Sequence, residues 1–229
     1  MAQKDYWEVV DDFFGTGDFS STAASNVGHR WIIADTSSAG TPTYVYVDGS
    51  ASGELAIDMD TQAEAQNVCL YQEDVLQFDI DLLTEVEFRV KMNQAAVDAT
   101  TMLAFGVTGD RNDTIDTIAQ AAIFRVVGAD STTAVVVETD DGTLDNNDVA
   151  TGDTLINAYK DFKISFATGK TDIRFFIDGQ PVATGTTFSM TNYTASLQLF
   201  AQIQKTSDAN ANGFTIDRVS VRGRRATNA

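Results

Sequence analysis

The sequence is short of cysteine, histidine and long hydrophobic runs, and each shortage excludes a class of protein. The single cysteine, Cys69, excludes an internal disulfide and fits synthesis in a reducing cytoplasm. The single histidine, His29, leaves too few ligands for a zinc centre and would have to carry any histidine-based catalytic triad alone. No apolar run approaches the roughly 18–20 residues that span a membrane. The first residues also lack the pattern of a secretory signal, so we expect no membrane partner.

Basic residues are scarce as well, so the chain carries a large excess of negative charge. Acidic side chains number 33 against 15 basic ones, a formal net charge of −18 with a sequence pI near 4.1. Such a surface repels phosphate backbones, so we expect no nucleic-acid partner. Hydrophobic residues make up 43% of the 229 residues, which is typical of a folded protein of one or two domains.

The abundant residues indicate a β protein. There are 26 Asp, 28 Thr and 16 Gly but only 7 Glu and 2 Pro, a composition that suits turns and strands better than helices. Apolar and polar residues alternate over 85–92 and 160–166, which places one face of each segment in a core. Asp178-Gly179 indicates a tight turn, and a change of parity at Asp217-Arg218 indicates a bulge.

About a dozen such segments, joined by short polar loops, predict an all-β fold. Two antiparallel sheets, each with one dry face, would pack together as a β-sandwich of the jelly-roll type. We expect one domain over residues 1–229, with a short N-terminal arm at about 1–8 and a basic C-terminal tail at about 222–229. Residues 139–153 are predicted to be the longest polar loop.

Three segments carry a resemblance to a known fold family. They are Asp11-Asp12-Phe13-Phe14 followed by Trp31, a hairpin strand that ends in Phe175-Phe176-Ile177-Asp178-Gly179, and the last strand with Ile216-Asp217-Arg218-Val219. Together they resemble the concanavalin A-like, laminin-G-like jelly roll. The resemblance implies a function among those that this fold serves, which include lectins, glycosidases and structural virion proteins such as capsid decoration proteins of tailed phages.

The glycosidases of that family set a test for catalysis, since they need two carboxylates at a fixed separation. The glucanase branch carries them on one strand face as Glu-x-Asp-x-Glu or Glu-x-Asp-x-x-Glu, and no segment here matches. Glu85 and Glu87 share a face but lack the central aspartate. The Gly-x-Ser-x-Gly motif of serine hydrolases is absent too. We therefore expect that the chain is not an enzyme.

One loop has part of a calcium motif. Residues 208–213 read Asp-x-Asn-x-Asn-Gly, the first half of an EF-hand loop, but the twelfth position, which requires an acid, is Val219. Asp217 is the nearest substitute. The sequence leaves two interpretations, a polar turn or a calcium site, and the ligands of such a site would be Asp208, Asn210, Asn212 and Asp217. No other cofactor is expected.

Aromatic residues supply the candidates for other binding sites. Trp31, Tyr44 and Tyr46 could stack on sugar rings, with packing in the core as the alternative. Alternation places Phe176 and Phe200 on the polar faces of their strands, where a partner or a loop would cover them. The candidate partner-binding residues, from these strands and both chain ends, are Tyr6, Trp7, Phe176, Phe200, Arg222, Arg224 and Arg225.

Two functional hypotheses follow. The first is a capsid decoration protein of a tailed phage, made in the bacterial cytoplasm and bound to the outer capsid surface. Its partners would be the major capsid protein and further copies of itself. The alternative is a carbohydrate-binding, lectin-like module, which a virion could also display, and a tail-fibre or baseplate component shares the same features. A flat apolar patch favours the first hypothesis, and a groove with stacked Trp or Tyr favours sugar binding.

Overall fold

The computed structural model describes residues 5–14, 31–73 and 77–226, and His29 lies outside these ranges. Nearly all regular structure within them is β-strand, and a 3-10 turn spans Ile115–Thr117. None of the helical structure in these ranges is long and apolar enough to cross a lipid bilayer. The strands are β1 (Tyr6–Asp11), β2 (Ile32–Asp35), β3 (Thr43–Tyr46), β4 (Leu55–Asp58), β5 (Gln66–Tyr71), β6 (Phe78–Asp79), β7 (Leu83–Met92), β8 (Thr101–Thr108), β9 (Gln120–Val127), β10 (Ala134–Asp141), β11 (Asp145–Thr154), β12 (Lys160–Ser165), β13 (Arg174–Ile177), β14 (Gln180–Val182), β15 (Ser196–Lys205) and β16 (Gly213–Arg224).

These strands form two antiparallel sheets. The first sheet has the order β14-β13-β12-β7-β16-β4-β3, and β1 pairs with the part of β16 that β4 does not reach. The second sheet has the order β11-β10-β9-β8-β15-β5-β2, and β6 pairs with the start of β15. The predicted all-β sandwich of two antiparallel sheets is confirmed.

Phenylalanine rings pack between the sheets and form the centre of the core. Phe88 and Phe162 of the first sheet contact Phe105 and Phe124 of the second, with ring centroids 4.9–5.6 Å apart. All four side chains are almost completely buried. The alternation in β7 and β12 predicts this arrangement, because residues two apart in a strand point to the same face.

Two local predictions are confirmed. Asp178 and Gly179 both have positive φ, 49° and 76°, and form the tight turn between β13 and β14. The register of β16 against β7 shifts between Ile216 and Arg218, which is the predicted bulge.

The prediction of a long polar loop is wrong, because residues 139–153 lie mostly in the hairpin of β10 and β11. The Asp141 carboxylate accepts hydrogen bonds from the backbone N–H groups of Thr143 at 3.0 Å and Leu144 at 2.7 Å and closes the turn. In the described sheet β11 is an edge strand, which needs only one partner strand and carries its polar side chains toward solvent. A composition typical of loops therefore suits this strand.

Strand pairing includes residues 6–8 and 222–224, which corrects the predicted arm and tail over these residues. Tyr6 lies opposite Arg224 and Asp11 opposite Val219, so residues 6–8 and 222–224 belong to the first sheet. Each segment satisfies backbone N–H and C=O groups of the other, and this pairing orders two stretches that composition alone marks as free ends.

A segment between β8 and β9, residues 109–119, folds back over the outer face of the second sheet, and we call it the strap. Its Ile115 and Ile118 pack with Phe200 and Cys69, and all four side chains are buried. Outward-pointing Phe200 is therefore covered by the chain itself. Its assignment as a partner-binding residue is wrong, because no part of its ring is accessible.

Three glutamines of β15 hold the strap in place. Gln198 and Gln202 donate through Nε2 to carbonyl oxygens of the strap at 2.7 Å and 3.2 Å, and Gln204 accepts from a strap N–H at 2.9 Å. The strap thus replaces water as their hydrogen-bond partner. The alternation of apolar and polar residues predicts that the strands of each sheet have one solvent-exposed face. In the second sheet, β5 and β8 are instead buried on both faces, because the strap covers them.

Gly106 in β8 offers a test of how tightly the second sheet is packed. A Cβ added there would lie 2.4 Å from the carbonyl oxygen of Ala122, and its φ is 150°. We expect Gly106→Ala to lower the free energy of unfolding by about 1–3 kcal/mol, measured by urea denaturation. Gly185→Ala is the control, since nothing lies within 4 Å of its added Cβ. Equal effects of the two substitutions would contradict the described packing.

Candidate functional site

A groove of about 880 Å³ lies where β1 meets the end of β16, and we call it the terminal groove. Residues from both ends of the described chain line it, together with the start of β7. The lining residues are Tyr6, Trp7, Glu8, Thr84, Glu85, Ala167, Arg222, Arg224 and Arg225. Five of the seven predicted partner-binding residues therefore come together in one site.

Trp7 is held rigidly at one side of the terminal groove. Its indole stacks on the buried ring of Phe78 with centroids 5.4 Å apart, and its Nε1 donates to the carbonyl oxygen of Arg224 at 3.0 Å. Gly223 lies opposite Trp7 in the strand pairing, and a Cβ there would come within 2.1 Å of the indole carbon Cζ2. Only glycine leaves room for the indole at this register.

Charged side chains form a fixed row across the terminal groove. Arg222 donates through Nη2 to Glu8 Oε1 at 2.9 Å and through Nη1 to Glu85 Oε1 at 3.3 Å. The hydrogen bond from Arg222 to Glu8, and then the charges of both carboxylates, raise the pKa of the guanidinium. The row thus presents hydrogen-bond acceptors on both sides of a permanent donor.

Tyr6 adds an accessible aromatic ring to this row. Its side chain is 53% exposed, and it lies two residues from Glu8 on the same face of β1. An exposed ring beside alternating donors and acceptors can bind a ligand that has both apolar faces and hydroxyl groups.

A second polar cluster lies on the outer face of the second sheet. Arg125 of β9 is fully buried and donates hydrogen bonds to Glu138 of β10 and Asp116 of the strap. Asp148 of β11 approaches the same guanidinium at 3.4 Å. Sequence reasoning missed this cluster because positions 116, 138 and 148 have no common spacing, and an arginine among apolar strand residues was its only signal.

Burial and the neighbouring charges shift the pKa values of Arg125 and Glu138 in opposite directions. Burial raises the pKa of the Glu138 carboxyl, and the neighbouring Arg125 charge partly offsets that rise. For Arg125, burial favours the neutral form, but the surrounding carboxylates outweigh it and raise the pKa of the guanidinium. The cluster is an ionic contact that fixes the strap to the sheet through Asp116.

The four candidate calcium ligands are not brought together. Asp217 lies in β16, where its carboxylate pairs with Arg89 at 2.7 Å. Asp208, Asn210 and Asn212 stay adjacent in one loop. In the described ranges, no group of three or more His, Cys, Asp or Glu side chains is arranged to hold a metal ion.

A lysine explains why the loop of Asp208 is polar. The buried ammonium of Lys205 donates to the carbonyl oxygens of Asp60 at 2.6 Å, Asp208 at 3.1 Å and Asn210 at 3.4 Å. The loop therefore surrounds a cation that belongs to the chain itself. The predicted four-residue calcium site is wrong in this form, and the polar-turn interpretation accounts for the residues.

The predicted glycan-binding aromatics belong largely to the core. Trp31 is completely buried and donates through Nε1 to Asp11 Oδ2 at 2.9 Å, so its ring cannot stack on a sugar. Tyr44 and Tyr46 lie half-buried in β3 against the core, away from the terminal groove. Burial, and then the charge of Asp11, raise the pKa of Tyr46 to about 12.

Phe176, the remaining candidate for partner binding, lies apart from the terminal groove. Its ring is half-buried on the outer face of β13, with the ammonium of Lys163 4.7 Å from the ring centroid. A cation of the chain thus covers part of the surface that was predicted to bind a partner.

Comparisons with known proteins identify the fold. No protein-family model matches the chain, and no curated protein matches its sequence. Solved structures do match. The carbohydrate recognition domain of Emp47p aligns with a TM-score of 0.57 at 10% identity, covering 87% of this chain and 90% of that one. A glycoside hydrolase family 16 endo-glucanase from Bacteroides ovatus has a TM-score of 0.63 at 10% identity, with 93% and 99% covered.

A further match is the β-glucanase of Bacillus licheniformis, with a TM-score of 0.60 at 13% identity over 96% of this chain and 98% of that chain. At such identities the likeness shows the fold alone. The chain thus has the concanavalin A-like jelly-roll fold, the fold of these carbohydrate recognition domains and family 16 hydrolases, and the predicted fold resemblance is confirmed. None of these structures is a phage protein.

The prediction that the chain is not an enzyme is contradicted by this comparison, because glycoside hydrolases share its fold over nearly its whole length. The error was to treat the absence of known motifs as an exclusion of the whole class. Carboxylates from separate segments can lie side by side without any regular spacing, as Asp116, Glu138 and Asp148 do here.

The ionic cluster makes a testable contribution to stability. Arg125→Met would leave Glu138 buried without its partner, so we expect the free energy of unfolding to fall by about 3–5 kcal/mol in urea denaturation. The double substitution Arg125→Met with Glu138→Leu should cost less than Arg125→Met alone. Arg174→Met is the control, because Arg174 and its partner Asp172 are both exposed.

The loss caused by Arg125→Met should depend on pH. A buried Glu138 with a raised pKa binds its proton more tightly in the folded chain than in the unfolded one. Lowering the pH from neutral toward the ordinary glutamate value of 4.5 should therefore shrink the loss. A loss that stays constant over this range would contradict the assignment.

Proposed function

We propose that this chain binds carbohydrate and that the terminal groove is the binding site. The observation that carries the proposal is the lining of the groove, where the exposed ring of Tyr6 lies beside the hydrogen-bonded row of Glu8, Arg222 and Glu85. The fold that the chain shares with carbohydrate recognition domains and glucanases supports it.

The chemistry of the lining suits sugars. A pyranose ring has an apolar face that can stack on an aromatic side chain, and its hydroxyl groups each donate and accept hydrogen bonds. Glu8 and Glu85 can accept from hydroxyls while the guanidinium of Arg222 donates to their neighbours. Because these side chains already hold each other in place, binding costs little ordering.

The outer face of the second sheet is a weaker candidate. The strap covers its centre, and Phe200 and Cys69 beneath the strap have no accessible surface. A sugar could reach the centre of that face only after the strap, with its glutamine hydrogen bonds and its ionic contact to Arg125, had moved away. The terminal groove is open without any such change.

Substitution of Tyr6 tests the proposal. A panel of immobilised oligosaccharides identifies a ligand, and titration calorimetry then measures its affinity. We expect Tyr6→Ala to weaken binding about threefold to tenfold, through loss of stacking. Phe14→Ala is the matched control, an exposed aromatic outside the groove lining. If the chain binds no saccharide, or if both variants bind as the unchanged chain does, the groove is not the site.

The same saccharides should be assayed for hydrolysis, since glycoside hydrolases share the fold. Release of reducing ends that Glu8→Gln or Glu85→Gln abolishes would extend the proposal from binding to catalysis in the terminal groove. Binding without release would limit the proposal to recognition.

Display on a phage capsid remains a second proposal. The observation in its favour is that four apolar side chains on and after β1 are exposed, namely Tyr6, Val9, Val10 and Phe14. Exposed apolar side chains on an outer strand are candidates for contact with another protein. We expect the chain to band with phage particles on a density gradient at a stoichiometric ratio, and its complete absence from particles would contradict capsid decoration.

A further inference from the structure

We infer that the ligand of the terminal groove is an acidic saccharide, one whose sugar units carry carboxylate or sulfate groups. The inference rests on the proposed function and specifies its substrate class. It depends on the difference between two neighbouring arginines, Arg222 and Arg224, and on the distribution of cations over the first sheet.

The two arginines differ in how their charge is compensated. Arg222 is paired with two carboxylates, Glu8 and Glu85. Arg224 also lines the groove and is exposed, but its guanidinium takes part in none of the ion pairs found within residues 5–14, 31–73 and 77–226. The groove thus offers the guanidinium of Arg224, unpaired among the described residues, beside a row whose charges are paired with one another.

Hydrogen bonds hold the backbone of Arg224 in place, so the position from which its side chain extends is fixed. Its N–H donates to the carbonyl oxygen of Leu82 at 2.8 Å, and its carbonyl oxygen accepts from Trp7 Nε1 at 3.0 Å. A guanidinium anchored in this way can bind a carboxylate or sulfate through two parallel hydrogen bonds.

Basic side chains are concentrated on the outer face of the first sheet, although the chain has a net charge of −18. Strands β7, β12 and β16 carry six of the 15 basic residues on the outer face of the first sheet, opposite to their buried positions. These are Arg89, Lys91, Lys163, Arg218, Arg222 and Arg224. The first five each lie within 4.0 Å of a carboxylate. An anionic ligand is therefore drawn to Arg224, the member of this set that has no ion pair among the described residues.

The carboxylates of the groove narrow the class of anion. Glu8 and Glu85 would repel a polymer that carries a negative charge on every repeating unit, such as a nucleic acid. Their carboxylates can, however, accept hydrogen bonds from hydroxyl groups. A ligand that combines many hydroxyls with well-separated negative charges satisfies both kinds of side chain. An acidic saccharide has this composition.

The test compares acidic oligosaccharides with their uncharged counterparts. Oligogalacturonate and its methyl ester, and chondroitin sulfate and its desulfated methyl ester, are titrated into the full chain and into Arg224→Gln. We expect the full chain to bind at least one acidic form about tenfold more tightly than its uncharged form, a preference that added salt reduces. Arg224→Gln should lose this preference and bind the charged and uncharged forms with similar affinity.

Arg174→Gln serves as the control, since Arg174 is an exposed arginine outside the terminal groove, and thermal unfolding confirms that both variants fold. Equal affinity for charged and uncharged forms, or a preference that Arg224→Gln retains, would overturn the inference and leave carbohydrate binding intact. Failure of every saccharide in this panel and in the neutral panel to bind would overturn the proposed function itself.

Discussion

The contact between Trp7 and Gly223 is the constraint on which the proposed site depends. It fixes the register of the first strand against the last, because the indole occupies the space of a side chain at position 223. That register brings Tyr6 next to Arg224 and Glu8 next to Arg222. Residues more than 200 positions apart in the chain thus form one groove, and a larger residue at 223 would displace the indole and disrupt the groove together with the strand pairing.

The strap limits access to the outer face of the second sheet. Apolar packing of Ile115 and Ile118, hydrogen bonds from β15 and the ionic contact of Asp116 with Arg125 hold it on the second sheet. The three kinds of contact act on the same 11 residues from 109 to 119, so displacing the strap would require breaking all of them at once. One sheet of the sandwich is therefore closed at its centre, while the other keeps an open groove at its edge.

The fold follows from local patterns, whereas the site does not. Alternation over 85–92 and the parity change at Asp217 report which side of a strand faces the core, a property set by neighbouring residues. The strap at 109–119 has no such period, so nothing local indicates that it covers Phe200. The basic residues near position 222 were recognised as a binding element, but their pairing with β1 depends on a contact across the whole chain, which a single sequence does not encode in any short pattern.

A structure of the chain with a bound oligosaccharide tests the central claim most directly. The account predicts a sugar ring stacked on Tyr6, with its hydroxyl groups hydrogen-bonded to Glu8 and Arg222 and the strap in its present position. A saccharide bound instead on the outer face of the second sheet, with the strap displaced from Arg125, would contradict it.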